Sequence, residues 1–141
     1  MKPTSVLLVD DNPILLRIVS RFLQQYDEVM IVGTASGGEE TLAQAEHLRP
    51  QVILLDLGIP GLTGLGTIPR LRRVLPEVSI IALTLLDTRG YWLAALEAGA
   101  DEVVSKATMS SDLWPAIRRV VQTQRPRLEP VSATTLEDHH G

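Results

Sequence analysis

Four short apolar runs of this 141-residue chain each end on a group able to take part in a phosphoryl transfer. Asp10-Asp11 follow Ser5–Val9, Asp56 follows Val52–Leu55, Thr84 follows Ser79–Leu83, and Lys106 follows Glu102–Ser105. Three carboxylates, a hydroxyl and an ammonium at one end of a parallel sheet would make a magnesium-dependent site for aspartate phosphorylation. Brought close together, Asp10, Asp11 and Asp56 repel one another and at least one pKa rises, unless a cation shares the site. Mg2+ suits such a place, because it prefers hard oxygen ligands and is commonly held by one or two carboxylates plus phosphate oxygens. The expected ligands are Asp11 and Asp56 directly, Asp10 mostly through water, and the backbone carbonyl of Gly58. Asp56 is the candidate phospho-acceptor, since a carboxylate can take up a phosphoryl group as an acyl phosphate. Lys106 would neutralise a phosphoryl oxygen as a compact point charge, and the Thr84 hydroxyl could donate to another.

The elements that must position these groups alternate between short β-branched or leucine-rich runs and longer segments of helical period. Such alternation marks βαβ units and a parallel sheet buried on both faces. Strands are expected at Val6–Val9, Val29–Ala35, Gln51–Leu55, Ser79–Leu83 and Glu102–Ser105. After Asn12, an N-cap candidate, helix 1 should run over Pro13–Gln25 with Leu15, Ile18, Val19, Phe22 and Leu23 inward. Helix 2 is expected at Glu39–Leu48, with Pro50 stopping it. Gly58, Pro60, Gly61, Gly64 and Gly66 read as an irregular loop, and helix 3 follows at Gly66–Val74, with Pro69 disturbing its start. Helix 4 should span Thr88–Ala98. Helix 5 should begin after Ser110-Ser111-Asp112 and carry Leu113, Ile117, Val120 and Val121 on one stripe. The fold class is α/β: a doubly wound, flavodoxin-like (βα)5 domain with strand order 2-1-3-4-5. Ligands of such sheets bind outside the carboxyl ends of the strands, where the polar residues stand.

A chain of this length with 45% apolar residues supports one domain, not two. The pattern ends near Gln124, so residues 1–124 form the expected domain, and 125–141 a flexible tail or the start of a linker. A net charge of −4 gives no basic field for nucleic acid or an anionic membrane. No cysteine is present, which excludes disulfides and thiolate chemistry, and the first apolar run is too short for a signal peptide or a membrane span. The expected location is cytoplasmic.

Five motifs carry a family resemblance: Val-Asp-Asp-Asn at 9–12, Leu-Asp-Leu-Gly-Ile-Pro-Gly-Leu-Thr-Gly at 55–64, Ala-Leu-Thr at 82–84, Ala-Leu-Glu-Ala-Gly-Ala-Asp at 95–101 and Ser-Lys at 105–106. With them the chain resembles the receiver domain of two-component response regulators over about Ser5–Gln124, and most of all receivers that precede helix-turn-helix output domains. The resemblance implies an acidic pair at Asp10 and Asp11, a phospho-acceptor at Asp56, a switch hydroxyl at Thr84 and a phosphate-binding lysine at Lys106. It implies a sensor histidine kinase or histidine phosphotransfer protein as donor. A homodimer or output partner would be engaged through the surface of helix 4, strand 5 and helix 5. The chain departs from the family pattern at four places. Ile59 replaces a methionine, Leu85 a small residue, and Ala107 a proline that often follows the lysine in a cis bond. A cis non-proline bond costs roughly 3–4 kcal/mol, so a trans Lys106–Ala107 bond is expected. Val103 stands in the place of the family's switch aromatic, and its short, stiff side chain has no comparable swing.

Other residues invite plainer readings. One of Tyr91 and Trp92 should be partial core and the other a partner anchor, since neighbouring helical residues point about 100° apart; Trp114 is open to both. His47, His139 and His140 read as solvated, as does the cluster Arg70, Arg72 and Arg73. The loop at 58–66 lacks the Gly-Lys-Ser/Thr ending of a phosphate-binding P-loop. Two alternatives stand beside the phosphorylated switch. One is a protein-binding module of the same fold that works without phosphorylation. The other is a magnesium phosphohydrolase, which is disfavoured because Gly58 stands where such enzymes carry an acid two residues after the nucleophile.

Overall fold

The computed structural model describes residues 2–59, 64–85 and 89–124. Five strands, β1 (Thr4–Val9), β2 (Val29–Ala35), β3 (Val52–Asp56), β4 (Ser79–Thr84) and β5 (Glu102–Ser105), pair in parallel in the order β2-β1-β3-β4-β5. Between them run α1 (Pro13–Gln24), α2 (Gly38–Leu48), α3 (Gly64–Val74) and α4 (Arg89–Ala98); α5 (Met109–Thr123) follows β5 after a 3-10 turn at Lys106–Thr108. This is the doubly wound flavodoxin-like arrangement expected from the alternation.

The strands divide their side chains between the two faces with period two. Leu7, Val9, Ile53, Leu55, Ile80, Ala82 and Val103 face the side covered by α2, α3 and α4. Val6, Leu8, Val52, Leu54, Ile81, Leu83 and Val104 face α1 and α5. All of β3 and β4 is buried, so the central strands are a fixed base for what stands at their ends. At about 25 cal/mol per Å2 of apolar surface removed from water, each such leucine or isoleucine contributes roughly 1.5–3 kcal/mol before chain entropy is counted.

Local chemistry sets the helix ends. Asn12 Oδ1 accepts from the amides of Ile14 (2.9 Å) and Leu15 (3.4 Å), and Pro13 occupies the first helical position. Ile18, expected inward, is exposed along with Ile14, because the face against the sheet is centred on Val19 and Leu23. α3 starts at Gly64, two residues before the expected start. A Cβ on Gly64 would lie 2.4 Å from Leu57 Cα, so only glycine lets the helix pack onto the chain leaving β3. Pro69 then sits inside the helix, on its exposed side. α5 also begins early, at Met109. Asp112 is in its first turn, accepting from Thr108 Oγ1 at 2.6 Å, so the polar run is the helix's first turn and not its approach. Its buried stripe is Leu113, Ala116, Ile117 and Val120, with Val121 half-buried.

Three plainer readings change. Tyr91 and Trp92 are both half-buried against the same core face, while the exposed apolar residues of α4 are Leu93 and Leu96. Trp114 stacks on Tyr26, centroids 3.8 Å apart and planes 8° off parallel, joining α5 to the end of α1. Arg72 is not a solvated charge but hydrogen-bonds to Gly99, Val78 and Asp101. Arg70 pairs with Glu39 at 3.1 Å, and Arg73 and His47 are exposed. Pro60, Gly61, Thr88, His139 and His140 lie outside the described residues, as does the whole of 125–141.

Candidate functional site

β1, β3, β4 and β5 bring Asp10, Asp56, Thr84 and Lys106 to one edge of the sheet. Asp56 is the last residue of β3, in register with Leu83, and Thr84 is the last of β4, in register with Ser105. Asp10 directly follows β1, and its amide donates to Ala35 O at 3.0 Å. Lys106 opens the 3-10 turn after β5, which Ser105 Oγ caps by accepting from Ala107 N. The Lys106–Ala107 peptide bond is trans, as expected.

Lys106 Nζ lies between the two buried carboxylates, 2.9 Å from Asp10 Oδ2 and 3.0 Å from Asp56 Oδ1. Their side chains are 11%, 5% and 7% exposed respectively, so these are buried ion pairs and not surface ones. Each carboxylate is also held by the amide two residues on: Asn12 N donates to Asp10 Oδ1 (2.9 Å) and Gly58 N to Asp56 Oδ1 (3.0 Å). Sequence reasoning missed these two donors, although an aspartate with a turn residue two places later is their signal. It also missed the Ser105 cap that aims the lysine. Asp11 is exposed, yet one oxygen from each of Asp10, Asp11 and Asp56 can be chosen so that all lie within 4.8 Å of one another. Thr84 is buried at its strand end, Val103 is buried in the core, and Leu85 is 74% exposed.

Burial pushes the Asp56 carboxyl above its ordinary value; the Gly58 amide and Lys106 pull it down without prevailing, and the charge of Asp10 adds to the rise. For Lys106, burial acts to lower the pKa, but the hydrogen bonds to Asp10 and Asp56 outweigh it and hold the ammonium charged. One ammonium against three carboxylates leaves the cluster short of positive charge. An all-oxygen donor set in that condition fits a hard divalent cation such as Mg2+. Asp10, Asp11 and Asp56 are the side chains that could hold it.

Residues 6–118 match the sequence family described as the response regulator receiver domain. The chain belongs to that family. Among its relatives, the response regulator GacA of Pseudomonas viridiflava is 34% identical over 120 residues, covering 85% of this chain and 56% of GacA. The nitrate/nitrite response regulator NarL of Escherichia coli K12 is 33% identical over 138 residues, 96% of this chain and 64% of NarL. The receiver thus spans little more than half the length of these curated relatives. Among solved structures, RcsB of Salmonella typhimurium superimposes with a TM-score of 0.82 at 26% identity, over 92% of this chain and 65% of that one. The isolated RcsB receiver, solved in the presence of the phosphomimetic BeF3-, gives 0.80 at 26% identity, over 90% and 94%. The family is that of receiver domains of two-component systems, and the curated relatives are response regulators. Among its described residues no helix is long and apolar enough to cross a membrane.

Proposed function

We propose that this receiver accepts a phosphoryl group on Asp56 in a Mg2+-dependent reaction and passes the change to a partner surface. The observation that carries the reading is Lys106 Nζ bridging Asp10 and Asp56 beside a third carboxylate, at the carboxyl edge of a buried sheet. A carboxylate oxygen of Asp56 attacks phosphorus. The bond from phosphorus to the donor imidazole nitrogen breaks, its electron pair stays on that nitrogen, and the product is an acyl phosphate. Lys106, already 3.0 Å from Asp56 Oδ1, needs only a short shift to pair with a phosphoryl oxygen. The Thr84 hydroxyl, one residue past the strand partner of Asp56, is assigned to another phosphoryl oxygen. Asp11 and Asp56 would ligate the cation directly, Asp10 mostly through water, with the Gly58 carbonyl as a further ligand. Bound there, the cation would offset the charge of the carboxylates and the incoming phosphoryl group.

The donor in this reading is a histidine kinase or histidine phosphotransfer protein in the cytoplasm. The receiver occupies residues 1–124, with 125–141 outside it. The output surface is α4, β5 and α5, where Leu93 and Leu96 are exposed and the Glu102–Arg119 pair bridges β5 to α5. RcsB of Salmonella enterica serovar Typhimurium bound to a promoter in the presence of the phosphomimetic BeF3- is among the structural relatives, which supports an output of that kind in a longer protein. Incubation with acetyl phosphate and Mg2+ tests the reading. A phosphate adduct in the intact mass, lost in Asp56→Asn, is expected; no adduct, or one that survives the substitution, refutes it. Burial of Val103 where the family carries a swinging aromatic favours a second reading, a binding module independent of phosphorylation. In that case partner affinity would be the same with and without phosphodonor.

A further inference from the structure

Lys106 brings its ammonium to two buried carboxylates from a segment whose course packing does not fix. In the 3-10 turn Lys106–Thr108, Ala107 and Thr108 are exposed, while the Lys106 side chain reaches inward to Asp10 (2.9 Å) and Asp56 (3.0 Å). A lysine stem is flexible, so its Nζ is held between two acceptors only if the backbone at its root is held first. On the strand side the root is secured by β5, where Ser105 is in register with Thr84 at the end of β4. On the helix side it is secured from Thr108 onward. Thr108 Oγ1 donates to Asp112 Oδ2 (2.6 Å), Ser111 Oγ donates to the Thr108 carbonyl (3.1 Å), and Leu113 beyond them is fully buried. Lys106 and Ala107 lie between these two anchors.

Ser105 spans the gap. It is buried, its backbone is extended (φ −72°, ψ 133°), and its Oγ accepts from the Ala107 amide at 3.2 Å. The first amides of a helical turn have no partner inside the turn, and a serine oxygen at the cap position supplies one and fixes the entry angle of the chain. Here the capped amide is the one that follows Lys106, so the peptide plane between Lys106 and Ala107 is bonded directly to the Ser105 side chain. A proline at 107 has no N–H and could not make this bond.

We propose that Ser105 is a positioning residue of the site: by holding the Ala107 amide, its hydroxyl oxygen sets the peptide plane from which the Lys106 ammonium reaches Asp10 and Asp56. Its effect on the rate of phosphorylation rests on the reading of Asp56 as phospho-acceptor; its effect on where the ammonium sits does not. Ser105 acts through the lysine and not on the phosphoryl group.

The chain has two lysines, Lys2 and Lys106, and Lys2 is exposed, so it is an internal standard for acylation. Limited acetylation by an N-hydroxysuccinimide ester, read by peptide mass spectrometry without phosphodonor or Mg2+, reports how firmly the ammonium is held. Relative to Lys2, Lys106 should react roughly three- to tenfold faster in Ser105→Ala than in the wild type, the change expected for losing a capping bond. Ser105→Thr, which keeps the oxygen, should return the wild-type ratio. Ser105→Cys, of similar shape but a weaker acceptor, should fall between, and serves if the alanine variant does not fold. With acetyl phosphate and Mg2+, adduct formation should slow in Ser105→Ala by a similar factor. In Lys106→Met the same substitution should change the rate by less than about twofold, because a residue that acts through the lysine has nothing left to position. An acylation ratio unchanged in Ser105→Ala, or in Ser105→Cys where that variant stands in, overturns the proposal. A rate loss that persists in full on the Lys106→Met background overturns it too, since Ser105 would then act on the fold or on the phosphoryl group itself. Absence of an adduct in the wild type overturns the phosphorylation reading instead, and the positioning is still decided by the acylation ratio.

Discussion

Replacing Lys106 by methionine removes the ammonium that touches both Asp10 and Asp56 while keeping most of the hydrocarbon stem. Removing one partner of a buried ion pair costs about 3–5 kcal/mol, because the remaining charge stays out of water with nothing opposite it. Two carboxylates lose their partner here, but Asp11 beside them is exposed and water can reach the site from that side, so about 3 kcal/mol is the figure to expect. With a urea m-value of about 2 kcal/mol/M, the midpoint should fall by about 1.5 M when divalent cations are chelated. Mg2+ should narrow the gap. The wild-type ammonium repels the cation, and a pair of charges about 4 Å apart at an effective dielectric of 20 interacts by about 4 kcal/mol, so even a well-screened fraction makes the variant bind Mg2+ about tenfold more tightly. That tenfold is about 1.4 kcal/mol of extra stabilisation at saturating Mg2+, which would bring the difference below about 2 kcal/mol. Urea titrations with EDTA and with saturating Mg2+, plus a calorimetric Mg2+ titration of both proteins, measure each quantity. A loss under about 1 kcal/mol in EDTA, or a gap that Mg2+ leaves unchanged, would refute the assignment of Lys106 as internal counter-ion.

The same electrostatics give an opposite sign at Asp56. Its pKa is raised above 3.8 in the fold, so ionisation costs stability as pH rises from the unfolded value through the folded one; Asp56→Asn should therefore be the more stable protein at about pH 7 in EDTA, with its advantage shrinking on acidification. Urea midpoints across that pH range check it. Gly64→Ala should cost about 1–3 kcal/mol or more, because its Cβ would fall 2.4 Å from Leu57 Cα, whereas Gly90→Ala, in open space, should gain up to about 1 kcal/mol; thermal unfolding of the pair separates packing from helix propensity. Arg119→Ala breaks a bidentate pair with Glu102 that is 58% exposed on the arginine side, so a double-mutant cycle should return less than about 1 kcal/mol, falling further with salt.

What could be read from the sequence, and what could not, divides by the range of the interaction. Strand positions follow from period, and the clustering of Asp10, Asp11, Asp56 and Lys106 follows once the flavodoxin-like strand order is taken over, because a parallel sheet brings all its carboxyl ends to one edge whatever the details of packing. The start of α3 was misjudged because the glycines at 64 and 66 look like loop. Gly64 is instead required by Leu57, a contact that only the folded chain reveals. The start of α5 was misplaced because Ser110, Ser111 and Asp112 are as well suited to a first helical turn as to a cap. Ile18 has the right spacing for the inward stripe but stands at its margin, and a stripe read from spacing has no sharp edge. Arg72 was the furthest from reach. Its partners at 76, 78, 99 and 101 lie up to 29 residues away, and nothing in a run of three arginines distinguishes the one that reaches under a turn from the two that face outward. The grouping of these side chains was legible because they stand at strand ends. The bracing of the α4–β5 turn was hidden because it depends on a side chain joining elements distant in sequence.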